Sequence, residues 1–147
     1  MLELFVAICD DLAEERVRLA NMVRAYGERC HLTVRLRLFS SGDELVNVFT
    51  RPRQFQIVFL DIYMPGSSGV DAARSIRAVD RDVSIIFVTT SQDHGLDSFE
   101  VRAADYLVKP FQEEDVARAL DWCLEHMPEP LRCLSVLSEW ERREIPL

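Results

Sequence analysis

Apolar residues along the chain fall into short continuous runs separated by longer segments with helical spacing. The runs at residues 4–8, 57–60 and 83–88 are unbroken, which is typical of strands covered on both faces of a parallel sheet. Residues 32–38 instead alternate apolar and polar side chains, which predicts an edge strand with one face in water. A short run at residues 106–108 completes five predicted strands.

A segment with helical spacing follows each predicted strand. Apolar residues recur at helical intervals from residue 12 to residue 26, and Gly27 is predicted to end that helix. The segment after the fourth strand is only weakly amphipathic, which is typical of an element that can rearrange. The second to fifth helices are predicted near residues 41–49, 70–76, 94–102 and 116–127.

Strands and helices in strict alternation predict an α/β fold, namely a flavodoxin-like, doubly wound parallel sheet of five strands in the order 2-1-3-4-5. This order places the alternating strand at an edge and the continuous runs inside. It also gathers the C-terminal ends of the strands at one crevice, where folds of this class bind ligands. The polar residues expected at this rim are Asp10, Asp11, Asp61, Thr89 and Lys109.

Composition narrows the possible environment and partners. The chain has 147 residues with 25 acidic and 17 basic side chains, a net charge of −8, which disfavours non-specific attraction to nucleic acids or anionic membranes. No segment has the length of a membrane span, and the N-terminus lacks a basic leader, so we expect a cytoplasmic protein. The chain has no C-x-x-C pair, so its cysteines indicate neither a disulfide framework nor a zinc site. The four cysteines are Cys9, Cys30, Cys123 and Cys133.

The acidic residues at the rim indicate a magnesium site and a nucleophile. Three carboxylates gathered together repel one another unless a cation lies among them. Mg²⁺ prefers oxygen ligands and commonly binds one or two carboxylates plus a phosphate oxygen. We therefore expect Asp10, Asp11 and Asp61 to hold Mg²⁺, with Asp61 as the nucleophile toward a phosphoryl donor.

Lys109 and Thr89 are predicted to bind phosphoryl oxygens, the lysine as a positive charge and the threonine through its hydroxyl. The hydrogen bond from the Thr89 hydroxyl can form only when the phosphoryl group is present, so it would act as a switch. Singly, each residue has a plain structural explanation, since an acid after a strand often caps a helix. Convergence of four strand ends on one rim is what favours a functional site.

The motifs resemble those of the CheY-like response regulator receiver domains. That family has an acidic pair after strand one, L-D-x-x-M-P-G after strand three and K-P-F after strand five; here these are Asp10-Asp11, residues 60–66 and residues 109–111. The stretches at residues 86–90 and 104–107 resemble most closely the LytTR (AlgR/AgrA-like) response regulators. The resemblance covers residues 2–126.

The resemblance implies a phosphorylation switch of a two-component system. A cognate sensor histidine kinase would donate the phosphoryl group to Asp61, and Mg²⁺ would be required, with the backbone carbonyl of Tyr63 among its ligands. Such a domain is not an enzyme in the usual sense, because it catalyses only its own phosphorylation and dephosphorylation. Thr89 would shift toward the phosphoryl group and Tyr106 would rotate inward.

These movements are implied to remodel the face formed by the predicted fourth helix, the fifth strand and the last helix. A homodimer through that face would carry the signal to transcription. Three residues resemble family positions that tune the lifetime of the phosphoryl group, namely Tyr63, Thr90 and Ser91. Many relatives carry alanine or glycine where this chain has Thr90.

The chain is predicted to divide into a receiver domain at residues 1–126, a linker at 127–130 and a final segment at 131–147. Two short strands around a polar turn are predicted in the last segment, and its end resembles the opening of a LytTR DNA-binding domain. It is either the start of a truncated output domain, through which alone DNA would be bound, or a β-hairpin tail that packs locally or mediates dimerisation.

Two other classes of protein fit the sequence less well. Phosphatases of the haloacid dehalogenase type also use Mg²⁺ and an aspartyl nucleophile, but they carry D-x-D after the first strand. Here the residues after the first strand are Asp10-Asp11-Leu12, with no acid two residues after Asp10. Two residues after Asp61, where a second acid would be needed, the chain has Tyr63. An adaptor that does not depend on phosphorylation would normally have lost one of the acids or the lysine, and none is lost.

Overall fold

The computed structural model describes residues 3–66, 68–90 and 101–127. Within them lies one five-stranded parallel sheet in the order β2-β1-β3-β4-β5, which confirms the predicted α/β class and strand order. The strands are β1 (Glu3–Cys9), β2 (Thr33–Phe39), β3 (Ile57–Asp61), β4 (Ser84–Thr89) and β5 (Asp105–Val108). The helices are α1 (Ala13–Arg29), α2 (Gly42–Val48), α3 (Gly69–Val79) and α4 (Glu113–Glu125).

Some predicted elements fall on residues that the structure does not describe. Nearly all of the weak helix predicted at residues 94–102 belongs to this group, as do the hairpin or output segment at 131–147 and most of the linker before it. In the described part of the chain, no helix combines the length and apolarity that crossing a membrane would require. Cys9, Cys30 and Cys123 are free thiols there, whereas Cys133 lies outside the described residues.

The sheet separates two hydrophobic cores. One core packs α1 and α4 against the sheet and includes Val23 and Leu120. The other packs α2 and α3 against the opposite face and includes Leu45 and Ile76. All five residues of β3 are buried, as the continuous apolar run predicts, because helices cover this central strand on both sides.

The predicted end of the first helix at Gly27 is wrong. Helix α1 continues to Arg29, and His31, with a φ of 57°, ends it in the left-handed conformation. The N–H of Leu32 then donates to the carbonyl of Gly27 at 2.8 Å. Glycine is required at position 27 for clearance, because a Cβ there would lie 2.6 Å from Cγ2 of Val34 in β2.

Arg77 of α3 connects two segments that lead into neighbouring strands. Its guanidinium donates to five backbone carbonyls on the β4 and β5 sides, those of Val101 at 3.0 Å, Asp80 at 3.4 Å, Arg81 at 3.0 Å, Val83 at 2.7 Å and Arg102 at 3.3 Å. Burial lowers the pKa of this guanidinium, and the nearby charge of Arg102 lowers it further. The density of hydrogen bonds indicates a structural role for Arg77 in holding these two segments together.

We therefore expect Arg77→Ala to lower the free energy of unfolding by about 2 kcal/mol, because several partly buried carbonyls lose a charged donor. Arg74→Ala on the same helix is the matched control, since Arg74 is exposed and its guanidinium pairs with Asp71 in the first turn of α3. Arg74→Ala should lower the free energy of unfolding by less than about 0.5 kcal/mol. Urea denaturation of both variants measures this, and equal losses would contradict the assigned role.

Candidate functional site

Four of the predicted site residues lie at the C-terminal ends of adjacent strands. Asp10 directly follows β1, Asp61 is the last residue of β3, Thr89 is the last residue of β4, and Lys109 directly follows β5. Parallel strands end at the same edge of the sheet, and the N–H of Lys109 donates to the Thr89 carbonyl at 2.7 Å. The structure therefore brings these residues to one rim, as the sequence pattern predicts.

Lys109 is the centre of the charged groups at this rim. Its Nζ lies 3.0 Å from Oδ2 of Asp10, 3.4 Å from Oδ2 of Asp61 and 3.8 Å from Oε1 of Glu15. Burial lowers the pKa of Lys109, but the hydrogen bond that its ammonium donates to Asp10 and the charge of Asp61 outweigh it, so the net shift is upward. The ammonium therefore stays charged while it bridges these carboxylates.

Asp10, Asp11 and Asp61 form a compact group of oxygen ligands. Each offers a carboxylate oxygen, and these atoms all lie within 4.8 Å of one another. Asp10 and Asp61 are each only 4% exposed, and Asp11 is more exposed than either. The number, chemistry and spacing of these oxygens fit the preference of Mg²⁺ for a few carboxylates together with water.

Crowding changes the acidity of Asp61. Burial and the neighbouring charge of Asp10 raise the pKa of the Asp61 carboxyl to about 6, although Lys109 opposes this rise. One lysine therefore does not offset the combined effect of burial and the neighbouring carboxylate on Asp61. The site has a surplus of negative charge that a further cation would neutralise.

Local hydrogen bonds fix the orientation of the two buried carboxylates. Oδ1 of Asp61 accepts from the N–H of Tyr63 at 3.1 Å, and Oδ1 of Asp10 accepts from the N–H of Leu12 at 2.9 Å. These are turns in which an aspartate binds the backbone two residues ahead. In both residues the other oxygen, Oδ2, then lies toward Lys109.

Gly69 has a role at the site that the sequence analysis missed. Its N–H donates to the Ile62 carbonyl at 2.9 Å, which draws the start of α3 against the backbone that follows Asp61. A Cβ at Gly69 would overlap the Asp61 carbonyl oxygen and lie 2.8 Å from Cα of Ile62. Only glycine allows this approach, and the one signal in the sequence is a glycine at the start of an amphipathic helix.

Two contacts of Arg18 were also missed. Its Nη2 donates to the carbonyl of Phe111 at 2.5 Å, and its guanidinium carbon lies 4.9 Å from the centroid of the Phe111 ring. Arg18 therefore ties α1 to the loop that follows Lys109. Helical spacing alone does not show which distant loop a charged side chain of α1 will reach.

The remaining predicted residues surround the site at different depths. Thr89 is fully buried, Thr90 is exposed, and Tyr63 is 50% exposed. Tyr106 is half-buried, and its ring centroid lies 5.7 Å from that of Phe87 on β4. Ser91 lies outside the described residues, so its assignment stays a prediction.

The pKa of Asp61 predicts how stability depends on pH. The native state binds this proton more tightly than the unfolded chain does, so the stabilising contribution is complete below pH 3.8 and is lost as pH rises through about 6. With a chelator present, the melting temperature of Asp61→Asn should therefore rise relative to that of the parent as pH increases from 4 to 7, because asparagine stays uncharged. Calorimetry of both proteins across this range measures the gain.

Asp71→Asn is the matched control, because Asp71 is an exposed aspartate on α3. Between pH 4 and pH 7, Asp61→Asn should gain clearly more in melting temperature over the parent than Asp71→Asn does. A difference between Asp61→Asn and the parent that is constant across the range would contradict the raised pKa.

Comparison with known sequences identifies related proteins. Residues 6–121 match the family described as the response regulator receiver domain. The positive alginate biosynthesis regulatory protein of Pseudomonas aeruginosa is 36% identical over 115 residues, which covers 78% of this chain and 45% of that protein. The sensory transduction protein LytT of Bacillus subtilis is 29% identical over 115 residues, with 78% and 46% covered. The chain thus spans less than half the length of these curated relatives.

Solved structures show the same fold. The response regulator TrrA of Thermotoga maritima, in complex with Mg²⁺ and BeF, has a TM-score of 0.69 and 25% identity and covers 82% of this chain and 98% of its own. The receiver domain of a Pseudomonas aeruginosa sensor histidine kinase has the same TM-score, identity and coverage. That structure has a magnesium ion coordinated in its active site cleft.

Proposed function

This chain belongs to the response regulator receiver domain family, and on that premise we propose that Asp61 accepts a phosphoryl group from a cognate sensor histidine kinase. The observation that carries the proposal is the position of Asp61, a buried carboxylate whose Oδ2 lies 3.4 Å from the Lys109 ammonium. A nucleophile beside a fixed positive charge suits phosphoryl transfer, in which catalysis depends mainly on positioning and charge neutralisation.

In the proposed reaction, a carboxylate oxygen of Asp61 forms a bond to phosphorus. The bond from phosphorus to the histidine nitrogen of the kinase, or to the acetate oxygen of acetyl phosphate, breaks and leaves its electron pair on the departing group. Lys109 then binds a phosphoryl oxygen, and the Thr89 hydroxyl donates to another. The chain would in this way catalyse only its own phosphorylation and dephosphorylation.

Asp10, Asp11 and Asp61 would hold Mg²⁺, with the backbone carbonyl of Tyr63 as a further proposed ligand. When bound, the ion would offset negative charge on the carboxylates and the phosphoryl oxygens. The support from this chain is the surplus of negative charge and the cluster of carboxylate oxygens within 4.8 Å. The magnesium in the two related structures is consistent with this assignment.

The proposed output is a change in self-association that regulates transcription. Tyr106 of β5 packs on Phe87 of β4, two residues before Thr89 at the end of the same strand. A movement of Thr89 toward a phosphoryl group would therefore reach β5, and we propose that two copies associate through β5, α4 and the helix predicted at residues 94–102. We propose a receiver domain at residues 1–126, a linker at 127–130 and, at 131–147, either the start of a LytTR output domain that binds DNA or a tail.

Phosphorylation itself is tested by intact-mass measurement after incubation with acetyl phosphate and Mg²⁺. The parent and Asp71→Asn should each gain the mass of one phosphoryl group, because Asp71 lies on the exposed side of α3. Asp61→Asn should gain none, since the nucleophile is removed and the shape is kept. Chelation of Mg²⁺ should suppress the gain, and an equal gain in Asp61→Asn would contradict the assignment.

Tyr63 is proposed to prolong the life of the phosphoryl group. Hydrolysis needs a water in line with the bond that breaks, and the large, half-exposed Tyr63 side chain lies two residues after the acceptor, with Thr90 at the neighbouring strand end. Tyr63→Ala should therefore lose phosphoryl faster than the parent, by about threefold or more if one approach for water is opened. The decay of the phosphorylated mass after removal of the donor measures this rate.

Val17→Ala is the control for Tyr63→Ala, because Val17 is a similarly exposed apolar side chain, on α1. It should lose phosphoryl at the parent rate. Decay of Tyr63→Ala at the parent rate would show that Tyr63 does not shield the phosphoryl group and would favour a role in contact with the kinase or a second copy.

A further inference from the structure

We propose that Glu15, in the first turn of α1, is a positioning residue that competes with the incoming phosphoryl group for Lys109 and so slows phosphorylation by small anionic donors. The inference rests on the proposed phosphorylation of Asp61. It assigns a role to a carboxylate that lies outside the group of three oxygen ligands described above.

The geometry makes Glu15 the third carboxylate partner of Lys109. The ammonium has three N–H groups, and the nearest oxygens of Asp10 and Asp61 lie at 3.0 and 3.4 Å. Oε1 of Glu15 lies at 3.8 Å, and its side chain is 28% exposed, compared with 6% for each aspartate. Glu15 is therefore the most loosely held of the three partners and the only one on a solvent-accessible helix.

Charge gives the direction of the expected effect. Three carboxylates lie within 3.8 Å of the Lys109 ammonium, those of Asp10, Asp61 and Glu15. Asp11 adds a fourth negative charge beside the two aspartates, and a phosphoryl donor brings further negative charge into the same space. The Glu15 carboxylate repels that donor. It also attracts the Lys109 ammonium, which must turn toward a phosphoryl oxygen during transfer.

Both effects act against phosphorylation, so removal of the Glu15 charge should accelerate the reaction. The same change should weaken cation binding, because one negative charge near the carboxylate group is lost. A residue that served only to stabilise the fold would instead slow the reaction when replaced, or leave it unchanged. Opposite effects on phosphorylation and on Mg²⁺ affinity are therefore the signature of the proposed role.

Glu14 provides a matched control one residue away. It carries the same charge on the same helical turn and is exposed. Successive residues of an α-helix point about 100° apart, so Glu14 and Glu15 cannot present their carboxylates to Lys109 in the same way. A comparison of the two separates the specific ion pair from a general change in net charge.

The experiment uses the full chain with acetyl phosphate at saturating Mg²⁺ and follows the phosphorylated mass with time. Glu15→Gln should react about threefold faster than the parent, the effect expected for one partly screened charge, while Glu14→Gln should stay near the parent rate. Glu15→Asp keeps the charge but shortens the reach to Lys109, so its rate should lie between those of the parent and Glu15→Gln. Calorimetric titration of Glu15→Gln should show an Mg²⁺ affinity about twofold lower.

High ionic strength should reduce the difference between Glu15→Gln and the parent, because salt screens a partly exposed charge. An unchanged or slower rate in Glu15→Gln would overturn the inference, as would equal acceleration in Glu14→Gln or a parent-like rate in Glu15→Asp. If the parent itself gains no phosphoryl group, the proposed function fails and this inference fails with it. If the parent is phosphorylated and Glu15→Gln reacts at the same rate, only this inference fails.

Discussion

The ion pairs of the Lys109 ammonium with Asp10 and Asp61 are the interaction on which the rest of the rim depends. Two carboxylates that are each 4% exposed could not both stay ionised at the end of a buried strand without a nearby cation. Lys109 reaches them because β5 ends at the same edge of the sheet as β1 and β3. The parallel topology and the charge pairing therefore support each other.

One lysine does not neutralise the carboxylates at the rim, and this excess of negative charge links the structure of the rim to its proposed function. Burial and the charge of Asp10 keep the pKa of Asp61 raised to about 6 even with Lys109 beside it, so the ionised Asp61 carboxylate costs stability when no cation is bound. A bound cation would relieve that cost, and a phosphoryl group would then give Lys109 and Thr89 new oxygens to bind. In the proposed function, the same crowding that destabilises the metal-free domain would prepare it for phosphoryl transfer.

Much of this architecture is predictable from the sequence because it depends on the periodicity of apolar residues. Continuous runs identify the central strands, and Asp10, Asp61, Thr89 and Lys109 are found because each follows or ends a strand. Contacts that depend on side-chain direction are not predictable in this way. Glu15 and Arg18 lie on a helix whose apolar spacing gives no indication of which loop or lysine they reach.

Two glycines also have roles that the sequence pattern does not predict. Gly27 fits the pattern of a helix end, yet α1 continues past it, and the residue is needed because Val34 leaves no room for a Cβ. Gly69 is recognisable in the sequence only as a glycine at the start of an amphipathic helix, yet it lets α3 approach the backbone of Asp61 and Ile62. Close approach between segments distant in sequence is a property of the folded chain, and the local pattern does not contain it.

Burial and crowding of the carboxylates at the rim exceed what one lysine compensates. Carbon-13 NMR titration of the Asp61 side-chain carboxyl, without divalent cations, measures this most directly. We expect a pKa near 6 in the parent and a higher pKa in Lys109→Met, where the compensating charge is gone. A pKa near the ordinary value of 3.8, unchanged by loss of Lys109, would contradict it.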